Sequence, residues 1–257
     1  MKKRKVPLDH KQPTPKEKTI LSHLLYYRFL TTNHLQQLLT HKQPQRTQAW
    51  LQKLTQDGYV IQDYDRHRMR ENTKPAVYCL TAKAGKILKD NTNCDPVILK
   101  RLYREKRLSK KFQAHCLTMA DFSLHLRRLY QDSNDTLHYF TPIALTDYSH
   151  FPKPLPDAYI AIKGKGKKPR RFFVELFDEG TPRFAIRSKI QRYFTCAEEG
   201  EWGESQPFPE ILVICPTTFM QKYIERFTQS LLEESYEELS FNVKTKEQAL
   251  TQVLTNS

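Results

Sequence analysis

The first third of the chain has apolar residues at helical spacing. Residues 15–30 form one such stretch, Thr31 or Thr32 can cap a shorter second helix, and a third helix runs from residue 43 to a stop at Gly58. Two short apolar runs with the character of strands follow this helix, Val60–Tyr64 and Ala76–Leu80. The pattern therefore predicts three helices and then a two-stranded hairpin.

This order of elements is typical of a winged helix-turn-helix domain, which we predict over residues 15–92. The third helix would enter the major groove of DNA, with an inner face of Ala49, Trp50, Leu51 and Leu54. Its outward amide and basic side chains are candidate base contacts, namely Gln45, Arg46, Gln48, Gln52 and Lys53. The hairpin tip offers candidate phosphate contacts at Arg66, Arg68, Arg70 and Lys74. Winged helices also mediate protein contacts, and polar helix faces are often only solvated.

Basic segments flank this predicted domain. Residues 1–14 read as a basic, disordered tail, and residues 93–110 read as a basic helical connector. The connector belongs to one or two long helices across Asp95–Tyr130, whose later part carries a buried apolar stripe.

Beyond residue 136 the pattern changes to short apolar runs separated by helices. Strands are predicted in LHYFTPIAL, AYIAI, FFVELF and EILVIC, with a last short strand in LSFNV. Helices are predicted at Pro182–Glu198 and Thr217–Glu234. Strands that alternate with helices in this way predict a mixed α/β sheet domain, which we assign to residues 111–250.

Two acids occupy matching positions in the predicted hairpin of this domain. A turn centred near Gly166 would place Asp157 opposite Glu175, with Cβ atoms about 4.5–5.5 Å apart. Like charges at that separation favour a neutralising cation. Mg²⁺ or Mn²⁺ held by Asp157 and Glu175, with Asp178 as a third candidate ligand, would satisfy them.

The helix after the hairpin carries two further candidates for the site. Lys189 and Tyr193 stand four residues apart, so they are neighbours on one helix edge. Lys189 could reach the acids, orient a water molecule or stabilise charge that develops on phosphorus. Tyr193 is a candidate phosphate ligand or nucleophile, although an aromatic residue at this spacing is more often part of the core.

Composition and charge change the picture of what this chain contacts. The net charge is +14, and residues 1–110 hold 24 Lys and Arg against 9 Asp and Glu. The basic excess therefore lies in the N-terminal part, as expected for a module that holds a polyanion such as DNA. Only 7 glycines are present, and no glycine-rich phosphate loop is found.

The remaining composition points to a protein of the cytoplasm. The five cysteines are scattered without zinc-site spacing, which suits reduced thiols in a reducing compartment. The basic N-terminus is not followed by the apolar run of a secretory signal, and no segment approaches a membrane span.

The motifs of the second domain resemble two nested protein groups. Pro156-Asp157 and Glu175 resemble the PD-(D/E)XK nuclease superfamily, although Phe177 stands where that motif has lysine, and Lys189 would take its role. PDAYIAI, FFVELFDEGTP and RSKIQRYF after a winged helix are similar to the replication-relaxation protein family, over roughly residues 15–235. That family includes relaxases of the mobilisation C class, which nick plasmid DNA at a transfer origin.

The resemblance implies an α+β/α/β fold class, with the winged helix-turn-helix followed by a restriction-endonuclease-like mixed-sheet domain. It also implies a replication or mobilisation protein of a mobile element that binds DNA at an origin and nicks it with Mg²⁺ or Mn²⁺. One alternative is a non-catalytic DNA-binding replication or regulatory factor, and a third is a restriction nuclease of the defence type. A second copy of the chain and replication or conjugation proteins are candidate partners.

Overall fold

The protein consists of two compact units, residues 1–108 and residues 109–257. The structure is a computed structural model that describes residues 12–63, 75–89, 95–200, 202, 206–236 and 238–251. Its helices and two sheets, of which one is a five-stranded mixed sheet, confirm the predicted mixture of α and β structure. Among the described helices, none is both long enough and apolar enough to cross a membrane.

Unit 1 begins with three helices and a small sheet. Its elements are α1 (Pro15–Tyr27), β1 (Leu30–Thr31), α2 (Thr32–Leu38), α3 (Pro44–Gln56), β2 (Val60–Asp63), β3 (Val77–Leu80) and α4 (Ala82–Lys89). The sheet is antiparallel with the order β1-β3-β2. Thr14 and Thr31 each form a capping box at the start of α1 and α2, which explains where these helices begin.

The third helix packs through a narrower stripe than the sequence predicts. Thr47, Leu51 and Leu54 are buried, at the i, i+4 and i+7 positions of one helical face. The prediction that Ala49 belongs to this inner face is wrong, because Ala49 is exposed between the turns that carry the stripe. Trp50 is half-buried at the edge, where it meets the ring of His41.

The basic segment after α4 folds within unit 1. It contains α5 (Pro96–Arg101) and a 3-10 helix (Leu102–Arg107), which contact α4 and β3. The buried Glu105 accepts two hydrogen bonds from Arg28, at 3.2 Å from Nε and 2.8 Å from Nη2. The helical path is interrupted at Leu108, whose backbone is extended, before Ser109 caps the next helix.

Unit 2 is a three-layer arrangement around the five-stranded sheet. Its elements are α6 (Lys110–Tyr130), β4 (Thr136–Phe140), β5 (Ala158–Lys163), β6 (Arg170–Leu176), α7 (Arg183–Glu198), β7 (Glu210–Cys215), α8 (Thr218–Glu234), β8 (Phe241–Thr245) and α9 (Lys246–Thr251). The sheet order is β4-β5-β6-β7-β8. The pairs β4/β5 and β5/β6 are antiparallel, while β6/β7 and β7/β8 are parallel.

Two apolar clusters cover the two faces of this sheet. One contains α6 and α9 with Ile160, Val174 and Leu212 of the strands, and the other contains α7 and α8 with Phe173, Ile211 and Val213. The alternation of faces along β5 and β6 follows from the period of two in a strand.

Two predicted boundaries in unit 2 differ from the structure. The run LHYFTPIAL leaves the sheet at Phe140, and a 3-10 helix (Pro142–Leu145) follows, because proline cannot donate to a strand ladder. The helix predicted to begin at Pro182 begins at Arg183, because Pro182 is its N-cap residue. The hydroxyl of Thr181 accepts instead from the backbone N–H of Asp178 at 3.0 Å.

Candidate functional site

The β5–β6 hairpin has the register that the sequence predicts. Ala158 pairs with Val174 and Tyr159 with Phe173, so that the same ladder, extended by one step, sets Asp157 opposite Glu175. The N–H of Asp157 donates to Val174 at 2.9 Å, which holds this step of the ladder. Both acids consequently face the layer that contains α7.

Glu175 lies at the bottom of a polar cluster and is completely buried. Its Oε2 accepts from Lys189 Nζ at 2.7 Å, and its Oε1 accepts from the Tyr193 hydroxyl at 2.5 Å and from Arg192 Nη2. Burial raises the pKa of Glu175, while the charges of Arg192 and Lys189 act in the opposite direction. The carboxylate is therefore enclosed by three donors of one helix.

Asp157 lies closer to solvent in the same cluster. Its Oδ2 accepts from the backbone N–H of Leu176 at 2.9 Å and from Lys189 Nζ at 3.4 Å, and its Oδ1 lies 3.2 Å from His115 Nε2. Burial would raise the pKa of Asp157, but His115 and Lys189 outweigh it and lower the pKa to about 2. Asp157 is thus held as a carboxylate.

Lys189 connects the two acids. Its ammonium contacts Glu175 and Asp157 at once, and about a third of its side chain remains exposed. Burial would lower the pKa of Lys189, but the charges of Glu175 and Asp157 outweigh it and raise the pKa. The cation is therefore fixed between the two carboxylates and still reaches the surface.

His115 is a further member of the cluster, at a position where the sequence favours a satisfied polar group on a packed helix. It lies in α6, and its Nδ1 is 3.6 Å from Asp178 Oδ2 while its Nε2 contacts Asp157. Burial would lower the pKa of His115, but the hydrogen bond and the charge of Asp157 outweigh this effect and raise it. The sequence does not single out this role, because a local pattern does not say which strand ends the first turns of α6 approach.

Arg192 was also missed, although its spacing from Lys189 was a usable signal. It follows Lys189 by three residues, so both side chains leave the same face of α7. Arg192 is buried, and within the described part of the chain its Nε and Nη1 atoms have no hydrogen-bond partner. Its remaining nitrogen bonds to Glu175 and to the Tyr193 hydroxyl.

Tyr193 is part of the core as well as of the cluster. Its ring is fully buried and stacks on Phe173 with a centroid distance of 5.5 Å. Burial and the neighbouring Glu175 raise the pKa of Tyr193 well above its ordinary value. A neutral hydroxyl that donates to a buried carboxylate helps to position that carboxylate, and the role of Tyr193 as a nucleophile stays a prediction.

The carboxylates of the cluster meet only part of what a divalent cation needs. Mg²⁺ takes one or two carboxylates and keeps water and phosphate oxygens as its other ligands. No group of three or more His, Cys, Asp or Glu among the described residues is arranged to hold a metal, so the three candidate ligands do not form one set. Asp157 fits best, because its side chain is 16% exposed while that of Glu175 is 0% exposed.

Asp178, the third candidate ligand, lies in the turn between β6 and α7. Its side chain contacts His115 and is about one third exposed. It therefore borders the open side of the cluster next to Asp157, with His115 between the two carboxylates.

The candidate DNA contacts of unit 1 divide into three groups. Gln45, Arg46, Gln48 and Gln52 are exposed on α3, as expected. Lys53 differs, because its ammonium lies 2.9 Å from both carboxylate oxygens of the buried Glu17 in α1. The hairpin-tip candidates Arg66, Arg68, Arg70 and Lys74 lie outside the described residues.

Comparisons with known proteins identify one family. No match was found among curated proteins or among solved structures. The family model described as replication-relaxation matches residues 21–211, which is well over half of the chain and includes Asp157, Glu175 and Lys189. The chain therefore belongs to the replication-relaxation family.

Proposed function

We propose that this protein binds and nicks DNA during replication or mobilisation of a mobile element, in the cytoplasm of its host. Unit 1 would be the winged helix-turn-helix that finds the site, and unit 2 the PD-(D/E)XK nuclease-like domain, similar to relaxases of the mobilisation C class. The family supports a role of this kind. The observation that carries the proposal is Lys189, whose ammonium bridges Asp157 and Glu175 from a helix.

DNA binding by unit 1 is supported by its element order and its surface. Three helices precede an antiparallel strand pair, as in winged helices, and the third helix exposes Gln45, Arg46, Gln48 and Gln52. Amides and a guanidinium on such a helix can read base edges in the major groove. The basic excess of the N-terminal part would attract the phosphate backbone.

The polar cluster supports the proposed cleavage of a phosphodiester through its partly exposed cation. The oxygen of a water molecule would form a bond to phosphorus while one bond from phosphorus to a sugar oxygen breaks. The proton that the water loses balances the proton that the leaving sugar oxygen gains. Lys189 is partly exposed and can stabilise the charge that develops on the phosphoryl oxygens, while Glu175 and Asp157 hold its ammonium in place. Arg192 and Tyr193 act as positioning residues, because both bond to Glu175.

Mg²⁺ or Mn²⁺ is the proposed cofactor. Asp157 would be its protein ligand, with water and phosphate oxygens as the others, because His115 separates Asp178 from Asp157 and Glu175 lies behind Lys189. When bound, such a cation polarises the phosphodiester and lowers the pKa of a bound water.

The test is nicking of supercoiled plasmid that carries the element's own origin. Wild type should convert it to the open circle with Mg²⁺ or Mn²⁺ and not with EDTA. Asp157→Asn and Lys189→Met should each reduce the rate by at least about a hundredfold, as loss of a group that stabilises the transition state does. DNA affinity measured in EDTA should be unchanged.

Matched controls exist in the same unit. Asp132→Asn and Lys222→Met remove exposed groups of the same types away from the cluster, and both should nick as wild type does. Nicking that persists in Asp157→Asn and Lys189→Met would refute the catalytic assignment.

A non-catalytic DNA-binding factor is the second candidate function. The observation that favours it is the saturation of Glu175 by Lys189, Arg192 and Tyr193, which leaves this carboxylate enclosed. If the protein is such a factor, wild type binds origin DNA but does not nick it with Mg²⁺, with Mn²⁺ or in EDTA. The plasmid nicking assay therefore separates the two functions.

A further inference from the structure

An aromatic pocket opens in unit 2 beside the polar cluster. It has a volume of about 400 Å³, within the range of about 300–1,000 Å³ that small-ligand sites occupy. Aromatic rings and one guanidinium make up most of its lining, among them Phe140, Tyr148, Phe151, Tyr159, Trp202 and Arg171.

The aromatic rings form the floor of the pocket, and its rim is open to solvent. Phe151 is buried and meets Trp202 and Tyr159 edge to face, with centroid distances of 5.5 Å and 5.1 Å. Tyr148, by contrast, has 49% of its surface exposed at the rim, where it meets Phe151 at 6.0 Å. A large aromatic side chain at the edge of a concave site is free to stack on a flat ligand.

The pocket lies on the same sheet face as the acids. Tyr159 follows Asp157 by two residues in β5, which corresponds to about 7 Å along the strand. From the other side, Trp202 meets Phe173 at 5.2 Å, and Phe173 stacks on Tyr193 of the cluster. A polymer bound at the polar cluster could therefore place one of its neighbouring residues in the pocket.

We propose that this pocket holds an unpaired base of single-stranded DNA next to the strand position at the polar cluster. This inference rests on the proposed function, because that function is the reason for taking DNA as the polymer. Every base has a π face, so stacking on Tyr148, Tyr159 or Trp202 accepts any base. Arg171, which interacts with Tyr159 at the pocket wall, supplies a positive charge for the adjoining phosphate.

Trp202 is the reporter that makes the proposal testable. The chain has 2 tryptophans, Trp50 in unit 1 and Trp202 in the pocket, so Trp50→Phe leaves Trp202 as the single tryptophan, which can be excited selectively over tyrosine. In EDTA, oligothymidine should quench Trp202, whereas the same oligonucleotide made of abasic units should bind weakly and quench little. Tyr148→Ala in this background should weaken binding of oligothymidine on the order of tenfold, as loss of one base-stacking contact does.

Tyr236→Ala is the matched control, since Tyr236 is a fully exposed tyrosine of the same unit outside the pocket lining. It should bind as the Trp50→Phe background does. Equal quenching by the abasic strand, unchanged affinity in Tyr148→Ala, or equally tight binding of free thymidine monophosphate would each overturn the proposal. Base binding is measured in EDTA, where nicking does not occur. The protein can therefore show base binding in the pocket without being a nickase, and a nickase can lack base binding in the pocket.

Discussion

At the scale of single residues, Glu175 organises the candidate site because it is a buried carboxylate. Taking a charge out of water is costly unless opposite charges and hydrogen bonds compensate for it. Lys189, Arg192 and Tyr193 provide that compensation from a single helix, at positions separated by three and four residues. The cost of burial thereby fixes the position of Lys189, whose side chain remains partly exposed.

This balance predicts that loss of Arg192 destabilises the fold. Arg192→Met removes one of two cations from Glu175 and should lower the free energy of unfolding by about 3 kcal/mol, the lower part of the range for breaking a buried pair. Urea unfolding measures it, with Arg226→Met on the exposed side of α8 as the control. A loss as small as that of the control would show that Lys189 alone compensates Glu175.

Asp157 should make stability depend on pH in acid. Its pKa is lowered to about 2 in the folded protein, while an unfolded Asp titrates near 3.9. The ionised form therefore stabilises the fold above about pH 4, by roughly 2 kcal/mol, and this contribution is lost as the pH falls towards 2.

Urea unfolding of wild type and Asp157→Asn in EDTA, at pH values from 7 down to 3, measures this contribution. The stability advantage of wild type should shrink steadily below pH 5. An advantage that is constant over this range would show that the pKa of Asp157 is not lowered in the fold.

At the scale of elements, the exposed face of α3 and the internal pairing of Lys53 define what unit 1 can offer to DNA. Lys53 bonds to Glu17, so α1 and α3 are clamped together and this ammonium is partly neutralised. Glu17 in turn closes the capping box of α1 through the N–H of Thr14 at 2.7 Å. Arg46, exposed near the start of α3, is the stronger candidate for a DNA contact.

Arg46→Ala should therefore weaken binding of origin duplex measurably. If Arg46 contacts a phosphate, the salt dependence of the binding constant should fall by about one unit of slope. If it contacts a base, the loss should be about 1–3 kcal/mol and specific to the origin sequence. Fluorescence anisotropy over a salt series distinguishes these cases, with Arg127→Ala on the exposed side of α6 as the control. Unchanged affinity would remove α3 as the reading helix.

At the scale of the whole molecule, charge and chemistry are divided between two units. The net charge of +14 is concentrated in the N-terminal part, whereas the cluster of Asp157, Glu175, Lys189 and Arg192 lies in unit 2. The proposed attraction of DNA and the proposed chemistry therefore depend on different residues of the chain. Each unit can therefore be altered and measured separately.

The sequence by itself determined most elements and the register of the central hairpin. Periodicity reports which face of an element is buried, and a turn at Gly166, where φ is +69°, leaves one pairing that sets Asp157 opposite Glu175. It also indicated that Lys189 and Tyr193 share a helix edge. These features depend on residues that are near each other in the chain.

Only the tertiary structure decided which distant side chains meet. His115 joins Asp157 from a helix that precedes it by some forty residues, Lys53 is paired with Glu17 across two helices, and the aromatic pocket collects rings from Phe140 to Trp202. Local patterns cannot encode such contacts, because they depend on how helices and strands pack in three dimensions. Periodicity predicts that a residue is buried, and packing decides what it is buried against.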